Sequence, residues 1–348
     1  MHAYRFVRQL IPALGISVLC SIAASHADAQ PSSNSRVNFV INGAVNTAAR
    51  VGNTLYIGGN FSRIAPSTNA VGSLVAVNPT TAQVIPGRVP LVVGGDVTAM
   101  VPDGSGGYYI GGGFDRVGSD RQPNLRRLDA SGQLVPGFAP SPGFVRALAL
   151  AGGHPWVGGD FTFFSGQPRQ RLAAIDPITG AARAFATDAN NSVFAIAVSG
   201  TQIIVAGSFT QIAGQPRNRL AAFDATTGAL LPWNPGADNT VNALAVDATS
   251  VFVGGSFSNV GGVARARLAA IDPATGATIT AFAPPPMNNT VNTLLRLGPT
   301  LYAGGNFTVT GTGGVTVRFN VAAFSAVTGA TIDSKVHCVT KSPFWALA

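Results

Sequence analysis

The ten residues RLAAIDPITG at 171–180 return as RLAAFDATTG at 219–228 and as RLAAIDPATG at 267–276, 48 positions apart each time. A second marker keeps the same step: IGGNF ends at Phe61, IGGGF at Phe114, VGGDF at Phe161, VAGSF at Phe209, VGGSF at Phe257 and AGGNF at Phe307. Six copies separated by 53, 47, 48, 48 and 50 residues mean that one supersecondary unit is built again and again, each burying its apolar faces against its neighbours.

The unit is β. Residues 240–286 contain TVNALAV, SVFVGGSF, RLAAIDP and ATITAFAP, short segments rich in β-branched and aromatic residues, with the turn-forming DAT, SNVGGVARA and ATG between them. With 42 glycines, 23 prolines and no glutamate, helices have few places to start, which excludes an α-solenoid. Four antiparallel strands per repeat predict an all-β fold, a β-propeller of six four-stranded blades. The segment VNFVINGAVN, Val37 to Asn46, reads like the end of one repeat leading into the next, as AFAPPPMNNTVN does at 281–292. It is expected to supply the outer strand of the sixth blade and so close the ring.

Local chemistry supports the same reading. Asp129, Asp176, Asp224 and Asp272 share one slot before a Gly-containing turn, with Asn78 in the first blade. These residues bond their own backbone in tight turns, and a ring of metal ligands is disfavoured because each carboxylate stands alone. Glycine pairs inside strands, such as Gly254-Gly255, imply a bulge or a close approach of sheets, and the phenylalanine that follows is expected to fill the core between blades. They are not a phosphate loop, since a strand and not a helix follows them.

The N-terminus bounds the compartment. Arg5 and Arg8 precede an apolar run from Leu10 to Ala24 and the triplet Ala27-Asp28-Ala29, the pattern of a secretory signal over residues 1–29. The run is too short for a membrane span, so the mature chain is expected to be exported and without a transmembrane segment. The propeller then occupies 30–333. Residues 334–348 form an atypical tail with both lysines, Lys335 and Lys341, and Cys338, the only cysteine left after signal removal. No intramolecular disulfide is possible in the mature chain. The net charge of +8 becomes 20 basic against 13 acidic residues once Arg5, Arg8 and Asp28 are removed. Scattered arginines without interleaved aromatics argue against nucleic acid but leave anionic glycans or a protein partner open.

The unit VGGSFSNVGGVARARLAAIDPATGATITAFAP, with VNALAV beside it, resembles the delta-60 repeat of bacterial exported β-propellers, from about Val45 to Val327. The resemblance implies a propeller with no catalytic residues to carry over. Blades three to five follow it closely, whereas blade one lacks the Arg-x-Arg, blade two reads PNLRRLDASG and blade six TGTGGVTVRFNVAAFSAVTG.

Catalysis has few candidates. Outside the signal, histidine occurs only as His154 and His337, no Gly-x-Ser-x-Gly elbow appears, and neither a metal cluster nor a cofactor site is indicated. A binding module is the stronger expectation. In an up-and-down blade, the loops between the second and third strands share one face with the blade-to-blade connections. That face would carry Arg169, Arg217 and Arg265 beside Asn190, Asn191, Asp238, Asn239, Asn288 and Asn289, suited to carboxylates, sulfates or hydroxyl-rich glycans. The competing reading makes the arginines locks between blades and the asparagines turn residues. The alternatives to a binding or scaffold module are a secreted hydrolase or lyase of envelope polymer and a purely structural surface protein.

Overall fold

The computed structural model describes residues 40–332 apart from 66–70, 82, 139, 141 and 311–316. The expected signal segment 1–29 and the expected tail 334–348 lie outside the described residues. Among the described residues, every regular element is a β-strand. Six antiparallel sheets of three or four strands follow one another along the chain among the described residues, accompanied by five two-stranded sheets. In the fifth, Val241–Val246 pairs with Val251–Gly255, which in turn pairs with Leu268–Ile271. The first strands are Ala44–Val51, Val97–Pro102, Val145–Ala151, Val193–Ser199, Val241–Val246 and Val291–Leu297. Each packs beside the next in chain order, so the first strands line the inside of the array and the later strands fan outward, the arrangement of a β-propeller.

The outer strand is shorter than the sequence suggests. In five blades it makes a single bridge, such as Ile271 with Thr278, extended by the bond from the Ile279 N–H to the Ala270 carbonyl. Among the described residues, only in the sixth does a two-residue strand form, Thr331–Ile332 against Val317–Ser325. That pairing corrects the expectation for Val37 to Asn46. The sixth blade has its own outer strand, while Val40–Ile41 pairs with Ile64–Ala65 and Ala44–Val51 is the first strand of blade one. Residues 37–39 lie outside the described residues. The reason is local: Asn42 Oδ1 accepts the N–H groups of Ser62 and Arg63, both at 2.9 Å, tying the segment to blade one's own loop. Among the described residues, no packing comparable to that of consecutive blades joins Ala44–Val51 to Val291–Leu297.

The glycine pairs have two distinct tasks. Opposite each pair the first strand carries a bulge; in blade five the register shifts between Val241 and Ala243, facing Gly255 and Gly254. A Cβ on Gly254 would lie 2.5 Å from Cγ1 of Val291 in the next blade, whereas one on Gly255 would lie 2.1 Å from the Thr240 carbonyl oxygen in its own blade. The first glycine therefore sets the distance between blades and the second the approach of strands within one. The phenylalanine after the pair is buried in all six blades, at Phe61, Phe114, Phe161, Phe209, Phe257 and Phe307. Apolar clusters then join neighbours, as when Phe252 and Leu268 of blade five meet Val291, Leu301 and Phe307 of blade six.

The turn aspartates also do what their spacing suggests. Asp272 Oδ1 accepts the N–H groups of Thr275 at 2.7 Å and Ala274 at 2.9 Å, and Asn78 accepts those of Thr80 and Thr81 in the same way. These bonds, from the Thr275, Thr227 and Thr179 amides foremost, hold the carboxyls of Asp272, Asp224 and Asp176 below the ordinary carboxylate range. A lowered folded-state value adds stability above the unfolded value near ~4, and that stability is lost as pH falls through the lowered one. Thermal melts of the joint Asp176→Asn, Asp224→Asn and Asp272→Asn variant should therefore fall less steeply with acid below about pH 4 than wild type. Parallel acid slopes would refute this.

Candidate functional site

The connections between blades and the loops between second and third strands meet on one face. Each long loop contains a small hairpin that the sequence did not resolve: Phe163–Phe164 with Gln167–Pro168, Gln211–Ile212 with Gln215–Pro216, and Asn259–Val260 with Val263–Ala264. The connector at 188–190 is laced between two of them. The Gln170 N–H donates to Asp188 Oδ1, the Ala189 N–H to the Gln170 carbonyl, and the Asn190 N–H to the Gln211 carbonyl. The expected arginines and carboxamides are thus brought to one face.

Their contacts are largely internal. Arg169 donates to the Pro168 and Arg183 carbonyls, Arg217 to those of Pro216 and Leu231, and Arg265 to those of Ala264, Thr280 and Phe282. Each guanidinium thereby ties its hairpin to the segment that follows the outer turn. Asn190 and Asn288 accept N–H groups from the next blade's hairpin, at Thr210 and Gln211 and at Thr308. Asp238 does likewise with the Ser258 N–H and the Asn259 side chain. Asn191, Asn239 and Asn289 are exposed, and their Oδ1 atoms accept the N–H of Ser192, Thr240 and Thr290. Their amide N–H groups face no partner among the described residues.

Three features of this face escaped the sequence reading. Arg171, Arg219 and Arg267 sit at φ of 65°, 65° and 68°, in the left-handed region, where a non-glycine residue costs about 1 kcal/mol or more. Phe163, on the tip-side strand of its hairpin, is 59% exposed. Near the inner end, Arg146 pairs with Asp160 at 2.6 Å and lies over the rings of Phe144 and Phe194, 4.9 and 5.2 Å from their centroids. Burial pushes the Asp160 carboxyl up, but bonds from Arg146 and Ser192 outweigh it and the group ends below the ordinary range. Spacing marks these second arginines at strand starts, where a structural role is expected; nothing short of coordinates reveals their backbone.

The opposite face has short turns. His154 is the first residue of the second strand of blade three, with its ring edge-on to Phe185 at 5.9 Å. Burial, with Arg183 nearby, holds its imidazole below the ordinary histidine value. Among the described residues, no group of three or more His, Cys, Asp or Glu side chains could hold a metal ion, and no helix is long and apolar enough to cross a membrane.

Comparison with known proteins gives a family and a fold. The sequence profile of the PQQ_2 family, described as outer membrane protein assembly factor BamB, matches residues 36–282. Among solved structures, the WD40 β-propeller domain of Doa1 is 12% identical, covering 86% of this chain and 84% of its own, with a TM-score of 0.52. The computationally designed Ika8 protein is 14% identical, covering 83% of this chain and 86% of its own, at a TM-score of 0.48. The first of these likenesses speaks to fold alone. Comparison with curated protein sequences finds no match.

Proposed function

The chain belongs to the β-propeller repeat family described as outer membrane protein assembly factor BamB, and from that premise we propose that it is an exported, non-catalytic scaffold that holds a protein partner on its long-loop face. The observation that carries this is the composition of that face. An aromatic ring at Phe163, 59% exposed, stands on a face that also carries half-exposed arginines. Aromatic residues and arginine are the side chains most enriched at the centres of protein interfaces. The family's description names an outer-membrane assembly factor, which agrees with the signal pattern at 1–29 and with an envelope location. The finer reading, a delta-60 repeat unit, rests on the sequence resemblance alone.

Site-specific photocrosslinking tests the reading. A photoreactive residue at Phe163 in cells should give a discrete protein adduct, and the same group at Ile178, 71% exposed in a turn of the opposite face, should give none. Equal adducts at both positions, or none at residue 163, would reject a partner on this face.

A further inference from the structure

We infer that the outer rim of blade three carries a groove that binds a small carboxylate with an apolar body, gripped by Arg183 and lodged against Ala182, Ala184 and Phe185. The inference starts from one slot in the repeat. Just after the outer turn, a backbone N–H donates to a third-strand carbonyl in five blades: Ile85 to Ala76, Val135 to Arg127, Arg183 to Ala174, Leu231 to Ala222 and Ile279 to Ala270. Four of these residues are aliphatic, and each packs, partly buried, against the apolar cluster in the seam to the next blade. Of the five, only blade three puts a charge there.

The flanks of that slot differ as well. The residue before it makes the outer bridge in all five blades, as Val84, Leu134, Ala182, Leu230 and Thr278. Blade three reads Ala-Arg-Ala at 182–184 where blades one, two and four read Val-Ile-Pro, Leu-Val-Pro and Leu-Leu-Pro. Bulk is thus missing on both sides of the arginine, and a groove of about 430 Å³ lies there, lined by residues 181–185, Asp176 and Thr179. That volume falls in the range of small-molecule sites, which are mostly apolar with a few placed polar groups.

The protein does not use this arginine internally. Its guanidinium carbon lies over the Phe185 ring, 5.6 Å from the centroid, and it makes no side-chain hydrogen bond or ion pair among the described residues. Asp176 feels its charge without pairing to it, and Asp176 Oδ1 already accepts the Ile178 and Thr179 N–H groups and the Thr179 hydroxyl. The Phe185 ring also meets His154 at 5.9 Å and Trp156 at 6.0 Å. His154 Nδ1 and Trp156 Nε1 are buried with no hydrogen-bond partner among the described residues, so neither draws the guanidinium into the seam. A guanidinium with its N–H fork unused matches a carboxylate in bidentate fashion. The nearby Asp176 carboxylate disfavours a doubly charged ligand, and the alanine and phenylalanine walls favour an organic acid over a hydrated inorganic ion.

The test titrates the mature full chain with benzoate and with benzamide, its neutral isostere, following the amide signals of residues 181–185 by NMR. Benzoate should shift them saturably and bind about tenfold or more tighter than benzamide. Arg183→Leu installs the residue that blade four holds in this slot, so it should melt no lower than wild type while binding benzoate about tenfold or more weaker. Ala182→Leu combined with Ala184→Pro, again the residues of blade four, keeps the charge but fills the groove and should lose binding to the same degree. Equal affinity for benzamide, or unchanged affinity in either variant, would overturn the inference. So would a melting point of Arg183→Leu lowered by about 5 °C or more, which would make the arginine a structural part. Inorganic phosphate binding more tightly than benzoate at the same amides would overturn the apolar carboxylate. The groove lies at the short-turn end, away from Phe163, so its failure would leave the partner proposed for the long-loop face untouched.

Discussion

Gly255→Ala should destabilise the protein by about 3 kcal/mol or more, while Gly254→Ala, one residue earlier, should cost only about 1 kcal/mol. The two glycines look interchangeable in the sequence, but their surroundings differ in what can move. A Cβ on Gly255 meets the Thr240 carbonyl oxygen at 2.1 Å and the Cα of Val241 at 2.9 Å, both backbone atoms of the paired strand. Relief would require breaking the pairing that holds the bulge. A Cβ on Gly254 meets the Val291 side chain in the neighbouring blade, and blade four already shows the outcome: Ala206 stands in the equivalent place, fully buried with Val241 in one apolar cluster. Denaturant midpoints of the two single variants decide the matter. Equal losses would mean that the distance between blades, and not the approach of strands, constrains both glycines.

Phe257→Ala should cost about 3 to 5 kcal/mol, the range for removing a fully buried aromatic side chain from a core that cannot collapse around the loss. Phe257 is 0% exposed and packs in the cluster shared by blades four and five with Val241, Val253 and Ala269. Both walls of that cavity are β-sheets held by their own ladders, so little relaxation is available. Phe163→Ala, at 59% exposure, serves as the contrast and should stay within about 0.5 kcal/mol of wild type. Thermal melts that put the two variants level would show that the ring after the glycine pair is not a core element.

The same comparison explains what could be read from the chain. The repeat was legible because it follows from steric necessity: only glycine fits beneath the Thr240 carbonyl, and only a large ring fills the space beyond it, so those letters recur every 48 or so residues. The turn aspartates were legible because an Asp–Thr–Gly turn is closed by residues three and four apart. Longer-range partnerships were not. Arg265 bonds carbonyls 15 and 17 residues away, at Thr280 and Phe282, and nothing in its immediate neighbours announces this. Val37 to Asn46 does have the composition of a connector, yet a connector can end one blade or begin the next. What separates the outcomes is a pair of bonds to Asn42 from the Ser62 and Arg63 amides. The left-handed backbone of Arg171, Arg219 and Arg267 was hidden for another reason: that conformation ordinarily leaves its mark in sequence as glycine or asparagine, and arginine carries no such mark.

The account stands or falls on one unit being built repeatedly with the same internal bonds, and native-state hydrogen exchange reads those bonds directly. The amides of Gly59, Gly112, Gly159, Gly207 and Gly255 each donate to the residue that enters the third strand, Ser73, Asn124, Arg171, Arg219 and Arg267 in turn. They should be strongly protected in all five of these blades, while the hairpin tips at Gly166, Gly214 and Gly262 exchange rapidly. Protection that lacks this recurrence, or that runs unbroken through a hairpin tip, would contradict the architecture and everything inferred from its long-loop face.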